Sequence, residues 1–164
     1  DLVEVVRAAM EECHLAAHFL ELEITESAAM HNFELTMKVL RDLRALGVGV
    51  AVDDFGTGQS SLTYLKHFPI DTVKIDKEFL SDVTFDETAA AIVSYVNNLA
   101  HTLQLNVVAE GVETEEQYNF LRHYGCDQMQ GYLFSQPLPA EEILPFLRQM
   151  PARPKTVETQ RPGA

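Results

Sequence analysis

An α/β fold built on a parallel sheet is what this sequence predicts, and three observations carry it. Short apolar strands alternate with amphipathic helices, the order that right-handed strand–helix–strand crossovers require. The strands are apolar almost throughout, as strands covered on both faces must be. Four of the five nevertheless finish on an acid at or near the carboxyl end: Glu23, Asp53, Asp76 and Glu110.

The elements follow in order. The chain opens in a helical pattern, LVEVVRAAMEECHL. FLELEIT (19–25) is the first strand. Val39, Leu40, Leu43 and Leu46 form the apolar stripe of a helix over 30–46. VGVAVD (48–53) is the second strand, and Ser60 or Ser61 caps a short helix after it. DTVKID (71–76) is the third strand. Ala89, Ile92, Val93, Val96, Leu99, Ala100 and Leu103 give a cleaner helical stripe over 86–103. LNVVAE (105–110) is the fourth strand. Thr114 with Gln117 reads as a capping box opening a helix through 123. DQMQGYLF (127–134) is a less regular fifth strand. Residues 1–149 thus form one domain; 150–164 have no periodicity and many breakers, and read as a disordered tail.

The 164 residues include 12 basic and 25 acidic side chains, a formal charge of −13. So acidic a chain is a poor partner for the phosphate backbone of a DNA or RNA polymer. A nucleotide could still be held if cations bridge carboxylates to phosphates. Cys13 and Cys126 lie far apart and form no metal-binding or redox pattern. No apolar run approaches the ~18–20 residues of a membrane span, and no signal peptide is evident. A cytoplasmic setting is expected, either free or as the cytoplasmic part of a larger, membrane-anchored protein, with no membrane insertion of these residues themselves.

Side-chain alternation gathers the strand-end acids. Val48, Val50 and Val52 share one face, and Gly49, Ala51 and Asp53 the other. Lys74 and Asp76 oppose Val73 and Ile75; Asn106, Val108 and Glu110 oppose Val107 and Ala109; Glu21, Glu23 and Thr25 oppose Leu20, Leu22 and Ile24. The polar set can point into one mouth at the carboxyl ends of the strands, where ligands bind in open α/β sheets and in (β/α) barrels.

Each candidate has an ordinary reading beside the functional one. Asp and Gly are favoured in turns, which explains one aspartate of Asp53–Asp54 and the glycines but not two adjacent acids. Hard divalent ions want carboxylate oxygens, and one aspartate could bridge two ions while its neighbour binds one. The glycine run lacks the spacing and the lysine of a phosphate-cradling loop. Glu26 could be an ordinary first-turn helix acid, and Glu34, in the similar letters FELT, belongs to a helix surface. Glu21 would lie one layer deeper, with no assigned role. Lys74 interrupts an apolar strand; an internal ion pair with Asp76 or Asp53 and a cation that stabilises developing charge or positions a water are compatible readings of it. Glu110, ending VVAE, could be a general base, a metal ligand or both. The six histidines show no ligand spacing. Phe55, Tyr64 and Phe68 read as packing.

LELEITES, AVDDFGTGQSSL, DTVKIDKEFL, VVAEGVET and GCDQMQGYLFSQPLP occur in order and at fitting intervals. Together they closely resemble the EAL-domain phosphodiesterases, which hydrolyse cyclic di-GMP to linear pGpG. The resemblance implies a TIM-like (β/α)8 barrel, here partial with about five strand–helix units, and a site for two Mg²⁺ or Mn²⁺ ions. It implies that Glu23, Asp53, Asp54 and Glu110 are metal ligands, with Asp53 bridging. Glu26 would steady the loop after Asp54, and Lys74 would lie near the attacking water. Glu110 would also be the general base, and Gln130 and Asp76 would contact substrate. Two ions lower the pKa of a bound water and stabilise both the attacking and the leaving oxygen. A homodimer and an upstream sensor or diguanylate-cyclase-like domain are also compatible with the resemblance.

The chain departs from the family pattern in specific places. The Glu-Ala-Leu segment is absent, as is the asparagine motif that precedes EITE in the family; they would supply two further ligands and an arginine contact to substrate. Gln59 replaces a frequent tyrosine, and Gln136 stands where a basic residue is common. Five strands cannot close a barrel that takes ~250 residues. The expectation is therefore the C-terminal two-thirds of a phosphodiesterase domain, inactive or weak alone. An inactive cyclic di-GMP receptor or interaction module is the alternative, and the retained Glu23, Asp53, Asp54 and Glu110 argue against it. A different metal-dependent barrel enzyme, acting on a phosphate or an enolisable acid, is disfavoured by DDFGTG and AEGVET together.

Overall fold

A computed structural model describes residues 1–55 and 66–149. In chain order the elements are α1 (Leu2–Glu12), β1 (Glu21–Thr25), α2 (Glu26–His31), α3 (Phe33–Ala45), β2 (Gly49–Phe55), β3 (Thr72–Ile75), α4 (Glu87–Thr102), β4 (Asn106–Ala109), α5 (Glu115–His123), β5 (Gln128–Met129) and α6 (Ala140–Gln149). The strands form one parallel sheet in the order β1-β2-β3-β4-β5. Each strand lies beside its sequence neighbour, the connectivity of a (β/α) barrel wall. Among the described residues the wall is open, with β1 and β5 at its edges. This is the partial barrel that the sequence predicts.

The predicted alternation explains the packing. Val50, Val52, Val73, Ile75, Val107 and Ala109 point to the helical side and are buried, packed with Leu40 and Leu43 of α3, Val93, Val96 and Ala100 of α4, and Leu121 of α5. Burying each such aliphatic side chain stabilises the fold by about 1.5–3 kcal/mol.

The amino ends of the strands carry a repeated clamp. Asp71 directly precedes β3 and Asp127 directly precedes β5. Asp71 Oδ2 accepts from the backbone N–H of Val50 in β2 at 3.1 Å, while Oδ1 pairs with Arg44 in the last turn of α3 at 3.0 Å. Asp127 Oδ2 accepts from the N–H of Val107 in β4 at 2.8 Å, and lies 2.8 Å from His101 Nε2 in the last turn of α4. Each carboxylate thus ties the preceding strand to the helix that leads into it.

The structure moves several predicted boundaries. The helix expected over 30–46 is two helices, because Asn32 leaves helical geometry (φ −142°) and its side chain accepts from the N–H of Leu35, capping α3. The fifth strand is only Gln128–Met129; beyond it the chain stays bonded to the loop after β4, Val112 N donating to Gln130 O and Leu133 N to Val112 O. Helix α6 was not foreseen, its apolar Ile143, Leu144 and Leu147 being interrupted by Pro145. The Thr114–Gln117 capping box is present as read, and Gln117 Nε2 also donates to the buried Leu80 carbonyl at 2.9 Å. The cap at Ser60 or Ser61, Gln59, Tyr64 and the tail from 150 lie outside the described residues. Phe55 is buried and Phe68 lies against Phe33 with the rings tilted by 56°, so both are packing residues.

Candidate active site at the carboxyl ends of the strands

The register sets the inward face. Glu21 pairs with Gly49, Glu23 with Ala51, Thr25 with Asp53, Ala51 with Thr72, and Lys74 with Val108. The small residues Gly49 and Ala51 leave space above β2, so side chains of β1 reach across it to β3. Glu21 Oε2 accepts from Thr72 Oγ1 at 2.7 Å, and one layer nearer the mouth Glu23 Oε1 accepts from Lys74 Nζ at 2.6 Å. A Cβ at Gly49 would already lie 3.4 Å from Glu21 Cβ and Cγ, so no side chain intrudes on this crossing. The deeper rung supplies the partner for Glu21 that the sequence did not reveal.

Lys74 is the centre of the site. It is 6% exposed. Besides Glu23, its ammonium lies 2.8 Å from Glu110 Oε1 and 3.5 Å from Asp53 Oδ1. An ammonium has three N–H donors, and here three carboxylates from three different strands or strand ends surround it. Burial would lower its pKa; the hydrogen bonds to Glu110 and Glu23 and the charges of Glu110 and Asp53 outweigh that, and hold Lys74 above its ordinary range. The sequence offered Asp76 or Asp53 as ion-pair partners: Asp53 is one, and the shorter contacts go to Glu23 and Glu110.

Asp53 and Asp54 sit on a bulge. Val52 pairs with Val73 and Phe55 with Ile75, so β2 has one residue more than β3 between these pairs. Asp54 takes the left-handed conformation (φ 54°), which Asp tolerates better than most residues, and its N–H donates to Asp53 Oδ1 at 3.0 Å. The strand therefore runs through Asp54 to Phe55, whereas the alternation alone has Asp54 starting the loop. The bulge brings both neighbouring carboxylates to the mouth. The Asp54 carboxyl is raised above its ordinary range, first by the charge of Asp53, then by desolvation, then by the charge of Asp76. Such a local excess of negative charge is what a bound dication would neutralise.

The other predicted residues divide. Asp76, just past β3, accepts from the N–H of Glu78 at 2.7 Å and so caps a 3-10 turn at Lys77–Phe79, and its charge acts on Asp54. Glu26 opens α2 behind the Thr25 cap and is buried, unlike an ordinary first-turn acid; the loop it would steady lies outside the described residues. Gln130 is exposed, and its backbone N–H donates to Ala109 O at 2.8 Å, which sets it beside the end of β4. Glu34 is exposed on α3, as expected. Two glycines allow the strand-end loops to nest: a Cβ at Gly111 (φ 70°) would collide with Lys77 Cβ, and one at Gly131 with the Val112 backbone.

The donor set at the mouth is all carboxylate oxygen, which fits a hard divalent ion in chemistry. In position, Lys74 already takes up Glu23, Asp53 and Glu110. Among the described residues no three His, Cys, Asp or Glu side chains surround a ready ion position. An ion entering here would take over oxygens that now serve the ammonium.

The EAL domain family model matches residues 1–137. The cyclic di-GMP phosphodiesterase NbdA of Pseudomonas aeruginosa is 49% identical over 147 residues, covering 90% of this chain and 19% of NbdA. The bifunctional diguanylate cyclase/cyclic di-GMP phosphodiesterase MucR of the same organism is 48% identical over 143 residues, covering 87% of this chain and 21% of MucR. A solved MucR phosphodiesterase in complex with cyclic di-GMP superposes with a TM-score of 0.83 over 87% of this chain and 57% of that one, at 47% identity. Klebsiella pneumoniae BlrP1 in a manganese and cyclic di-GMP complex superposes at 0.78 over 82% of this chain and 34% of that one, at 37% identity. The chain spans about a fifth of the length of the curated relatives it matches. By the extent of the family match and the agreement of fold, this chain belongs to the EAL domain family.

Proposed function

We propose that these residues form part of a domain that hydrolyses cyclic di-GMP to linear pGpG with two divalent ions, Mg²⁺ or Mn²⁺. The observation that carries this reading is the convergence of Glu23, Asp53 and Glu110 on the Lys74 ammonium, with Asp54 beside them on the bulge. A module that only binds a nucleotide has no need of so many acids facing a substrate that is itself anionic. The relatives named for cyclic di-GMP hydrolysis, and the manganese in a neighbour's complex, support the same reading.

Glu23, Asp53, Asp54 and Glu110 would hold the ions. Bound ions supply Lewis acidity and an activated water. Glu110 accepts the proton of the attacking water at its carboxylate oxygen. Lys74, held charged, offsets negative charge that develops on the phosphoryl oxygens. Asp76 and Gln130 border the mouth and contact the substrate, and Glu26 anchors the loop after β2.

Residues 1–164 alone turn over little, because the open wall leaves the site bounded on one side only. A sensor or diguanylate-cyclase-like domain upstream, a cytoplasmic location and a homodimer complete the proposal. The test is conversion of cyclic di-GMP to pGpG, followed by chromatography, for residues 1–164 and for a parent domain carrying a Glu-Ala-Leu segment. The parent is expected to turn over only with Mg²⁺ or Mn²⁺ and to lose turnover on Glu110→Ala. Retained activity in that variant refutes the role of Glu110, and full turnover by residues 1–164 refutes the partial site.

A further inference from the structure

We propose that Lys74 serves as the resident counter-cation of the metal site: it holds Glu23, Asp53 and Glu110 in place when no divalent ion is bound, and it competes with the ion for their oxygens. This deepens the metal-dependent reading above and rests on it.

The geometry is that of a stand-in. The three contacts, 2.6 Å to Glu23, 2.8 Å to Glu110 and 3.5 Å to Asp53, use one oxygen of each proposed ligand and match the three donors of an ammonium. Lys74 is anchored from below by a strand buried at all four of its positions, so its charge is delivered to a fixed place. Without it, three carboxylates from β1, β2 and the end of β4 would face one another across a few ångströms with no compensating charge, a costly arrangement in a partly desolvated mouth. With it, an incoming ion meets a positive charge and carboxylate oxygens already engaged.

Asp54 lies beside Asp53 on the bulge, outside the three pairs that Lys74 makes. An ion that draws on Glu23, Asp53 or Glu110 therefore takes oxygens from Lys74, and its affinity should rise when Lys74 is neutralised.

The experiment is calorimetric titration with MnCl₂, together with thermal melting in chelator and in MnCl₂, on the wild-type chain, Lys74→Met and Lys74→Gln. Lys74→Gln removes the charge and keeps two N–H donors on a side chain one bond shorter, so it remains informative if Lys74→Met fails to fold in chelator. Both variants are expected to bind Mn²⁺ about tenfold or more tighter than wild type. Both should also melt lower than wild type in chelator and gain more stability in MnCl₂ than wild type does. Unchanged or weaker Mn²⁺ binding in Lys74→Gln, with wild type binding normally, overturns the counter-cation role and leaves the metal site standing. Absence of Mn²⁺ binding in all three proteins overturns the metal reading itself and this inference with it.

Discussion

Glu21 and Thr72 are joined across an intervening strand: Glu21 Oε2 on β1 accepts from Thr72 Oγ1 on β3 at 2.7 Å, directly over the small residues of β2. The same diagonal recurs one layer up, from Glu23 to Lys74. The lower rung therefore fixes β1 against β3 in the register that places Glu23 on the ammonium. Thr72→Val should remove the donor and destabilise the chain by about 0.5–1.5 kcal/mol. In a double-mutant cycle with Glu21→Gln, read by urea unfolding, the two effects should be less than additive. Additive effects would mean that the rung carries no coupling.

The paired clamps at the other end of the sheet make a second prediction. Asp71→Ala and Asp127→Ala each strip the partner from a backbone N–H, that of Val50 or of Val107, both buried residues. Each should cost about 1–3 kcal/mol in urea unfolding. Asp71→Asn, which keeps an acceptor oxygen, should recover part of the loss. Equal losses for Asn and Ala would place the stabilisation in the Arg44 ion pair instead.

Alternation made one face of the site readable from the sequence. Its period of two is strict within a regular strand, so the sequence sets Glu23, Asp53 and Lys74 on the same side, with Glu110 following from β4. The bulge was not readable: it adds one residue to β2 without any letter that announces it, and it alone brings Asp54 to the mouth rather than into the loop. Asp71 and Asp127 stand in the sequence as the first residues of strands, and their role as clamps is not legible there because their partners, Val50 and Val107, lie 21 and 20 residues away. The break at Asn32 was hidden because the apolar stripe of α3 extends past it in the helical period. Pro145 likewise concealed α6.

The two glycines in the strand-end region should respond differently from a third one elsewhere. Gly131→Ala drives a Cβ into the Val112 backbone, which cannot move aside cheaply, and should cost about 1–3 kcal/mol. Gly125, also left-handed at φ 76°, has nothing within 4 Å of the added Cβ. Gly125→Ala should therefore show only the backbone strain of about 1–2 kcal/mol. Thermal melting of both variants distinguishes collision from strain, and a Gly111→Ala variant should resemble Gly131→Ala if the Lys77 side chain cannot shift.

The two thiols should separate by accessibility. Cys13 is exposed and Cys126 is buried, with its Sγ 3.2 Å from Gln128 O and its pKa pushed from 9.0 up to about 12, chiefly by burial. A disulfide reagent at neutral pH should modify one thiol quickly and the second only on unfolding. Because the folded thiol keeps its proton above pH 9.0 while the unfolded one loses it, Cys126 contributes nothing to pH dependence below that point. Above it, stability should fall by up to about 1.4 kcal/mol per pH unit until the folded thiol titrates. Cys126→Ala should flatten that part of the profile; an unchanged slope would assign it to other groups.

The most direct measurement is an anomalous difference map from crystals of the EAL domain containing these residues, grown with MnCl₂ and cyclic di-GMP. Manganese peaks are expected at the carboxyl ends of the strands, coordinated by Asp53 and Asp54 and by Glu23 and Glu110, with Lys74 drawn off at least one of the carboxylates it holds in the absence of metal. A mouth that holds cyclic di-GMP with no manganese at these carboxylates, while Lys74 keeps all three contacts, would contradict the proposed site.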